Sequence, residues 1–431
     1  MIGAVLLVVF VLLLALDVPV AFCIGVATLA ALLLSLDPGP AIATMAQRML
    51  SGLDSFALLA IPLFILSGIL MGQGGIARRL IDFAKCLVGM LPGGLAIVNV
   101  LSCTLFGAIS GSAIAANSAV GGFMIPAMER EGYSRDFGAA VTAASSTTGL
   151  LIPPSNIMIV YAVASGGVSI AALFVGGYLP GLLVSLLLIA VCLLYARSRG
   201  MQGSGRTSLR ETVRAGWRAL PSLMLIVVVI GGIIAGIFTA TEAGAIAVLY
   251  ALALSWPIYR EISFRDLYPI LLKSAETTAI VMFLIAASVA MSWVLAYHDI
   301  PSQIATTMLA LSDNPLVILL IINLALLLVG AFMDMTPAVL IFTPIFLPVA
   351  VELGMSPLHF GIMMVLNLCI GLCTPPVGSI LFASCAIANT TMSRILRPLI
   401  PMYAALFAGL MLVAYVPEIS EWLPRAFGLI D

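Results

Sequence analysis

The chain has 431 residues, of which 62% are hydrophobic and only 9% are charged, and its formal net charge at pH 7 is −1. Since about a quarter of the residues in an ordinary soluble protein are charged, this composition excludes a soluble domain and predicts an all-α polytopic membrane protein. The near-neutral charge, without any basic tail or patch, excludes a nucleic-acid-binding protein.

Residues 1–55 are predicted to form N-terminal scaffold spans. The runs 2–16 and 18–36 are apolar, and no Lys or Arg precedes them. A cleaved signal peptide needs a basic start, so a retained span is favoured. Between the two runs, Asp17-Val18-Pro19 fits either a turn between two spans or a kink in one long helix.

The rest of the chain alternates apolar runs with short polar breaks. Two long units, 88–129 and 315–352, each have a polar centre that contains Gly or Pro, and we expect them to form re-entrant helical hairpins. Amphipathic helices at the membrane surface are predicted before each unit, at Ile76–Val88 and Ile300–Leu311. The remaining spans are predicted near residues 56–74, 136–165, 170–195, 219–238, 243–259, 274–297, 357–388 and 398–416.

Two double prolines interrupt apolar runs at equivalent places. The segment Gly149–Ser155 contains Pro153-Pro154, and the similar segment Gly371–Val377, in the second half of the chain, contains Pro375-Pro376. Each pair of prolines removes backbone donors and must break its helix. In a bilayer, broken backbone is tolerated only where protein or a water-filled cavity covers it, and paired breaks in two halves mark the binding site of a carrier. The pattern therefore predicts two broken helices and a secondary transporter.

The distribution of Lys and Arg predicts inverted repeats. The first hairpin unit is flanked by the basic residues Arg78, Arg79, Lys85, Arg130 and Arg135. The second is flanked by the acidic residues Asp299, Asp313 and Glu352 and by no Lys or Arg. The positive-inside rule then opens the first unit to the cytoplasm and the second to the opposite side, with five crossings between them. We divide the remaining chain into repeat 1 (56–195), a basic cytoplasmic loop with linking scaffold spans (196–273), repeat 2 (274–416) and a C-terminal tail (417–431).

The centres of the two hairpin units hold the candidate chemistry. The first contains Ser110-Gly111-Ser112, followed by Asn117, and the second contains Asp334 and Thr336. Hydroxyl and freed carbonyl oxygens are ligands that sodium accepts, and helix N-termini at such tips favour a carboxylate. The alternative for the first centre is helix packing, since Gly107 and Gly111 form a GxxxG pair.

Asp334 is the acid near the middle of a long apolar unit. An ionisable group at that depth is a functional candidate, because its burial in hydrocarbon is costly. The alternative is a structural role, in which Asp334 caps the helix that starts after Pro337.

The scarcity of histidine and lysine excludes other chemistry. The chain has two histidines, His298 and His359, so no histidine cluster offers a metal site or an acid–base pair. Neither Lys85 nor Lys273 follows a phosphate-binding Gly loop, so the chain cannot hydrolyse ATP and depends on an ion gradient or a separate protein. The seven cysteines form no CxxC pair and are interpreted as core residues. An intramembrane enzyme would need a catalytic dyad at membrane depth, which the sequence lacks, and no enzyme is expected.

The order and spacing of these motifs resemble the large membrane subunit of tripartite ATP-independent periplasmic (TRAP) transporters. The residues that carry the resemblance are the tip at Gly107–Ala113, the breaks at Pro153-Pro154-Ser155 and Thr374–Gly378, and the run Ile61–Phe64. The resemblance implies an elevator-type carrier in the bacterial inner membrane, a small four-helix membrane subunit and a periplasmic solute-binding protein. It also implies organic-acid substrates, such as C4-dicarboxylates, sialic acids or sugar acids, with sodium as the coupling ion. A stand-alone sodium- or proton-coupled dicarboxylate carrier of the same elevator superfamily is the alternative.

The resemblance also implies where ions and substrate bind. Sodium would lie where each hairpin tip meets a broken helix, with ligands from Ser110, Gly111, Ser112, Pro153, Ser155, Asn156, Asp334, Thr336, Thr374, Pro376 and Gly378. The substrate would lie between the two tips, on Ser112, Asn117, Asn156, Thr336 and Thr374.

Overall fold

The computed structural model describes residues 2–89, 91–201, 208–312, 314–375 and 377–430, so the predicted sodium ligand Pro376 and the flanking Asp313 lie outside the described residues. The described part of the chain is helical and contains no β-strand. Eight of its helices are long and apolar enough to cross a membrane, or nine if one bent pair counts as a single span. The all-α polytopic fold class is therefore confirmed.

The N-terminal half contains helices α1 to α10. They are α1 (Ile2–Ala15), α2 (Val20–Leu33), α3 (Pro38–Leu53), α4 (Ala60–Gln73), α5 (Ile76–Val88), α6 (Gly94–Ser110), α7 (Ala113–Arg130), α8 (Arg135–Thr148), α9 (Asn156–Ala164) and α10 (Ile170–Ser198). Short 3₁₀ turns, Phe56–Leu59 and Gly149–Leu151, precede α4 and follow α8.

The C-terminal half contains helices α11 to α20. They are α11 (Leu209–Ile234), α12 (Ala240–Ala253), α13 (Phe264–Tyr297), α14 (Ile300–Leu311), α15 (Pro315–Phe332), α16 (Met335–Glu352), α17 (Pro357–Gly371), α18 (Ser379–Ala388), α19 (Met392–Tyr415) and α20 (Glu418–Ala426). The amphipathic helices predicted before each hairpin unit are confirmed as α5 and α14, with the predicted bounds.

The first 36 residues form two helices rather than one. Asp17 takes a left-handed backbone conformation, with φ at 60°, and α1 and α2 pack side by side, so the chain turns between them. Each helix has 14 residues and is about 21 Å long, which is shorter than the hydrocarbon core of a bilayer. The helix α3 was not among the predicted spans, because Gln47, Arg48 and Ser51 interrupt its apolar pattern.

Both predicted helical hairpins are confirmed. In the first, only Gly111 and Ser112 separate α6 from α7, and Gly111 has a φ of 61°, which a glycine adopts without strain. In the second, Met333 and Asp334 alone separate α15 from α16. The first hairpin starts at Gly94 rather than at residue 88, because α5 continues to Val88 and a loop follows it.

Both predicted broken helices are also confirmed. The axes of α8 and α9 differ by 53° across the break at Ile152–Ser155, where the Pro153-Pro154 peptide bond is cis. The second break separates α17 from α18 and includes Gly378, whose φ is 45°. The prolines remove the backbone donors that would continue each helix.

A glycine pair joins each hairpin to its broken helix. A Cβ atom built on Gly149 would lie 2.5 Å from the Cα of Gly107, and one built on Gly371 would lie 2.6 Å from the Cα of Gly330. The two crossings, α6 with α8 and α15 with α17, occur at corresponding positions of the two repeats. Gly107 therefore does pack, as the GxxxG alternative held, but against the end of α8, whereas its partner in the motif, Gly111, forms the turn of the tip.

Helices of the first repeat pack against helices of the second, and together they form one body. In this body α7 packs on α18, and α9 packs on α16. At its centre the thiol of Cys369 donates to the carbonyl oxygen of Thr147 at 3.3 Å, and the thiol of Cys373 donates to that of Ala143 at 3.2 Å. These buried thiols act as core residues. We call the assembly of α6–α10 and α15–α19 the transport body.

A second group of helices packs beside the transport body. Here α2 and α3 pack on α13, α4 packs on α12 and α13, and α5 packs on α11. The main contacts with the transport body come from α4, which touches α6 and α9, and from α13, which touches α16, while α11 makes a smaller contact with α10. We call the helices α1–α4 and α11–α13 the scaffold.

Candidate functional site

A cavity of about 670 Å³ lies where the transport body faces the scaffold. One wall contains both hairpin tips, with Ser110–Ala115 from the first and Asp334–Thr336 from the second, together with Asn156 at the start of α9. The opposite wall is formed by α4 and α13. The cavity therefore joins the two tips, which come from different halves of the chain, in one space.

The first tip is held by its own hydroxyl groups. The hydroxyl of Ser112 caps α7 by accepting from the backbone N–H of Ala115 at 3.3 Å, and the hydroxyl of Ser110 donates to the carbonyl oxygen of Ser112 at 3.2 Å. A helix start capped in this way presents its remaining N–H groups and partial positive charge to the cavity.

The side chain of Asn156 lies against this tip. A Cβ on Gly111 would come within 2.7 Å of the Asn156 amide nitrogen, so only a glycine leaves room for the amide. The Oδ1 atom of Asn156 is buried and has no hydrogen-bond partner in the described structure. Because a buried oxygen without a partner is costly, this atom is free to hold a bound group.

The residues of the first break lie behind the tip. The hydroxyl of Ser155 is buried and donates to the carbonyl oxygen of Leu150 at 2.5 Å. Pro153 is buried as well, and neither residue lines the cavity. Ser155 thus supplies a hydrogen-bond partner for a backbone carbonyl group beside the break, within the protein interior.

Asp334 is exposed in the wall of the cavity. It occupies the residue before α16, but no side-chain hydrogen bond caps that helix. Thr336, in the first turn of α16, lines the cavity beside it. The carboxylate therefore stands at the helix start without being used as its cap.

The second break resembles the first in one detail that the sequence prediction missed. The hydroxyl of Thr374 donates to the carbonyl oxygen of Ile370 at 2.8 Å, and the backbone N–H of Gly378 donates to that of Ala331 at 3.2 Å. The next residue, Ser379, starts α18 as Asn156 starts α9 in the first repeat. The hydroxyl oxygen of Ser379 is also buried without a partner in the described structure. Asn156 stands two residues after its double proline and Ser379 stands three, so the spacing along the chain provided no signal for Ser379.

The structure brings together some of the predicted site residues and leaves others apart. Those that line the cavity are Ser110, Gly111, Ser112, Asn156, Asp334 and Thr336. Those that lie outside it are Asn117, Pro153, Ser155, Thr374 and Gly378. Asn117 is fully buried, where its Oδ1 accepts from the hydroxyl of Ser384 at 2.8 Å and joins α7 to α18.

The scaffold wall was not predicted as part of the site. It contributes apolar side chains along one face of each helix, listed as Ile61, Ile65 and Ile69 of α4 and Ile280, Val281 and Leu284 of α13. Its polar residues are Gln73, at the end of α4, and Lys273 and Thr277, in the first half of α13. The four-residue spacing of Lys273, Thr277 and Val281 places them on one helical face, and this was the signal in the sequence.

Comparison with known proteins identifies the family. The DctM component of the tripartite ATP-independent periplasmic transporters matches residues 7–419. The protein YgiK of Salmonella typhimurium is 53% identical over 97% of this chain and 96% of its own length. The C4-dicarboxylate TRAP transporter large permease protein DctM of Pseudomonas aeruginosa is 42% identical over 90% of each chain. The isethionate TRAP transporter permease protein DctMQ of Oleidesulfovibrio alaskensis is 41% identical over 95% of this chain and 64% of its own length.

A solved structure shares the fold. The YdaH transporter of Alcanivorax borkumensis superposes with a TM-score of 0.59 over 87% of this chain and 88% of that one, at 14% sequence identity. The resemblance seen in the sequence motifs is confirmed by the family match. This chain therefore belongs to the DctM component family of the TRAP transporters, and it is a multi-pass transport protein of the bacterial inner membrane rather than an enzyme.

Proposed function

We propose that this chain is the carrier subunit of a sodium-coupled, binding-protein-dependent importer of small organic acids. The observation that carries the proposal is the cavity in which two hairpin tips, the unpartnered oxygen of Asn156 and the carboxylate of Asp334 meet. Helix starts attract an anion, whereas a carboxylate and amide oxygens attract a cation, so the same space suits both a sodium ion and an organic acid.

Two sodium sites are proposed, one for each repeat. The first would use Ser110–Ser112 with the segment that leads from Pro153 and Ser155 to Asn156. The second would use Asp334 and Thr336 with the segment that leads from Thr374 to Gly378, and we add Ser379 to it. Asn156 and Ser379 are each the first residue of the helix that follows a break, and their unpartnered oxygens support this assignment.

Sodium binding and substrate binding would depend on each other through Asp334. Its negative charge repels an organic acid in the same cavity, and a bound sodium ion cancels that repulsion. The ion therefore has to bind before the acid is held between the tips. This order would couple the uphill import of the acid to sodium entry.

The substrate is proposed to be a small organic anion. Two of the relatives named above are designated transporters of C4-dicarboxylates and of isethionate, which both carry an acid group. A small four-helix membrane subunit and a periplasmic binding protein would deliver the substrate, and the bilayer surrounds the chain. The alternative is a stand-alone carrier of dicarboxylates, which differs from the proposal in needing neither partner.

An elevator movement would expose the site to each side in turn. The cavity reaches Lys273, near the end of α13 that the positive-inside rule assigns to the cytoplasm. A second cavity, of about 660 Å³, lies beyond α9 near the opposite end of the scaffold, beside Phe56 and Val289. We infer an inward-facing arrangement, in which the transport body would slide along the apolar faces of α4 and α13.

Reconstituted uptake tests the proposal. Proteoliposomes that contain this chain with its small subunit should take up labelled succinate, N-acetylneuraminate or isethionate when the cognate binding protein and an inward sodium gradient are both present. Each component is then omitted in turn. Uptake that persists without the binding protein and the small subunit would favour the stand-alone carrier.

A further inference from the structure

The scaffold wall of the main cavity is apolar along most of its length and polar at one end. Ile61, Ile65 and Ile69 on α4 and Leu284 on α13 face the hairpin tips without any hydrogen-bonding group. Among the described residues of this wall, polar side chains occur only toward the cytoplasmic end, where Lys273 is the one that carries a charge. A substrate that leaves the tips therefore meets an apolar surface on this side until it reaches that end.

Lys273 is unpaired in the described structure. Its side chain is exposed, and no acidic side chain of the described residues lies within ion-pair distance of it. The hydroxyl of Thr277, one turn along α13, donates to the backbone oxygen of Lys273 at 2.9 Å. This bond involves the backbone of Lys273 and not its ammonium group. Among the described lining residues, the other charged side chain is Asp334, on the opposite wall.

A basic residue near the cytoplasmic end of a span has an ordinary explanation, because such residues fix the orientation of the helix in the membrane. On α13 that role is available to Arg265, at the start of the helix and before Lys273. Arg265 does not line the cavity, whereas Lys273 lines it together with both hairpin tips. The position of Lys273 therefore has to be explained by what occupies the cavity.

We propose that Lys273 is the anion-attracting group of the scaffold wall and that its ammonium group takes the acid group of the substrate as the substrate leaves the hairpin tips. The proposal rests on the proposed function, since it assumes an organic-acid substrate. When sodium leaves the inward-facing site, Asp334 again repels the acid, and the positive charge opposite draws it toward the cytoplasm. A single ammonium group forms no bidentate pair, so it guides the acid without trapping it.

Whether the charge of Lys273 attracts anions into the cavity is tested without any substrate. Ser118 is exposed in the cavity, so Ser118→Cys provides a reporter thiol, and the unsubstituted protein corrects for native cysteines. The reaction rates with an anionic and a cationic methanethiosulfonate reagent are compared as a ratio. Lys273→Gln should lower the anionic-to-cationic ratio about tenfold, while Lys273→Arg should preserve it. Arg265→Gln, which removes the same charge from the same helix, should change the ratio less than about twofold. Equal changes in both glutamine variants, or no change in either, would overturn the proposal.

Whether Lys273 contacts the acid group of the substrate is tested with the same reporter thiol in the presence of sodium. Succinate and isethionate should each slow its reaction with the anionic reagent in the protein that carries Ser118→Cys alone. We expect Lys273→Gln to raise the half-protecting concentration about tenfold and Arg265→Gln to leave it unchanged. If protection is equal in the two glutamine variants, the acid does not contact Lys273, and the proposed role in release is wrong. If neither acid protects the reporter even with Lys273 in place, the substrate class of the proposed function fails, while the reagent ratio still decides whether Lys273 makes the cavity attractive to anions.

Discussion

Gly107 and Gly149 touch through their backbones, and this contact sets the distance between the first hairpin and its broken helix. Because a Cβ on Gly149 would lie 2.5 Å from Gly107, we expect Gly149→Ala to lower the free energy of unfolding by about 1–3 kcal/mol through overpacking. Gly122→Ala is the matched control, since a Cβ there would have no neighbour among the described residues within 4 Å. Thermal unfolding of the purified variants in detergent measures the difference. Equal unfolding temperatures would show that the crossing can separate without cost.

Substitution of Asp334 distinguishes two roles for this residue, an ion ligand and a helix cap. The carboxylate makes no capping hydrogen bond, so Asp334→Asn should leave expression and insertion unchanged and raise the sodium concentration for half-maximal uptake about tenfold. Glu352→Gln, at the other end of the same helix, removes an equal charge and should leave this concentration unchanged. Reduced expression with unchanged sodium dependence would instead assign the aspartate a structural role.

The elements that the sequence predicted best are those with a local cause. The double prolines and the polar tips marked both broken helices and both hairpins, because missing donors and small residues act on their own segment. The helix α3 was missed, since its pattern is mixed. Ser379 was missed as well, since the sequence spacing aligns Asn156 with Gly378 and only the structure shows that α18 starts at Ser379. Asn117 shows the opposite limit, because its burial against Ser384 depends on how the second repeat packs on the first.

Elements that move as one body can be joined without loss of transport. Asn117 on α7 and Ser384 on α18 are hydrogen-bonded through their side chains, so a short bifunctional thiol reagent can bridge the pair Asn117→Cys and Ser384→Cys, and uptake should survive the link. Gly72 on α4 and Phe106 on α6 face each other across the two bodies. The pair Gly72→Cys and Phe106→Cys, bridged by a short bifunctional reagent, should abolish uptake. Both pairs are assayed in a background without reactive native cysteines, before and after reduction or release of the link. An elevator movement is rejected if the second link leaves the uptake rate intact.

At the scale of the molecule, the distribution of Lys and Arg predicts which side each end of the repeats faces. A cysteine at Ser198, at the end of α10, should react with a membrane-impermeant maleimide only from the cytoplasm, and one at Glu352, at the end of α16, only from the periplasm. The reactions are compared in right-side-out and inside-out vesicles, with detergent-opened vesicles as the control. Labelling of both positions from the same face would remove the basis for inverted repeats.

The coupling of ions to substrate is a property of the whole transport cycle. Moving one elementary charge against 100 mV costs about 2.3 kcal/mol, so an inside-negative potential opposes the entry of an organic anion and favours that of sodium. Two sodium ions, one for each repeat, are the minimum that we expect for each cycle. They would neutralise a dicarboxylate, and a third ion would make its uptake sensitive to the potential. With a monovalent acid such as isethionate two ions already leave a net positive charge, so its uptake should accelerate when the interior is made negative.

Proteoliposomes with an imposed sodium gradient measure this coupling, since the potential is set separately with potassium and valinomycin. Binding-protein-delivered succinate and isethionate are compared at the same sodium gradient, with proton and potassium gradients as controls. For each acid that the system transports, the direction in which the initial rate changes with potential shows whether net positive charge enters with the acid. Equal uptake driven by a proton gradient in the absence of sodium would mean that the two tip-and-break sites do not bind sodium as proposed. In that case Asp334 would be the residue to test next as the proton carrier, because it is the acid exposed between the tips.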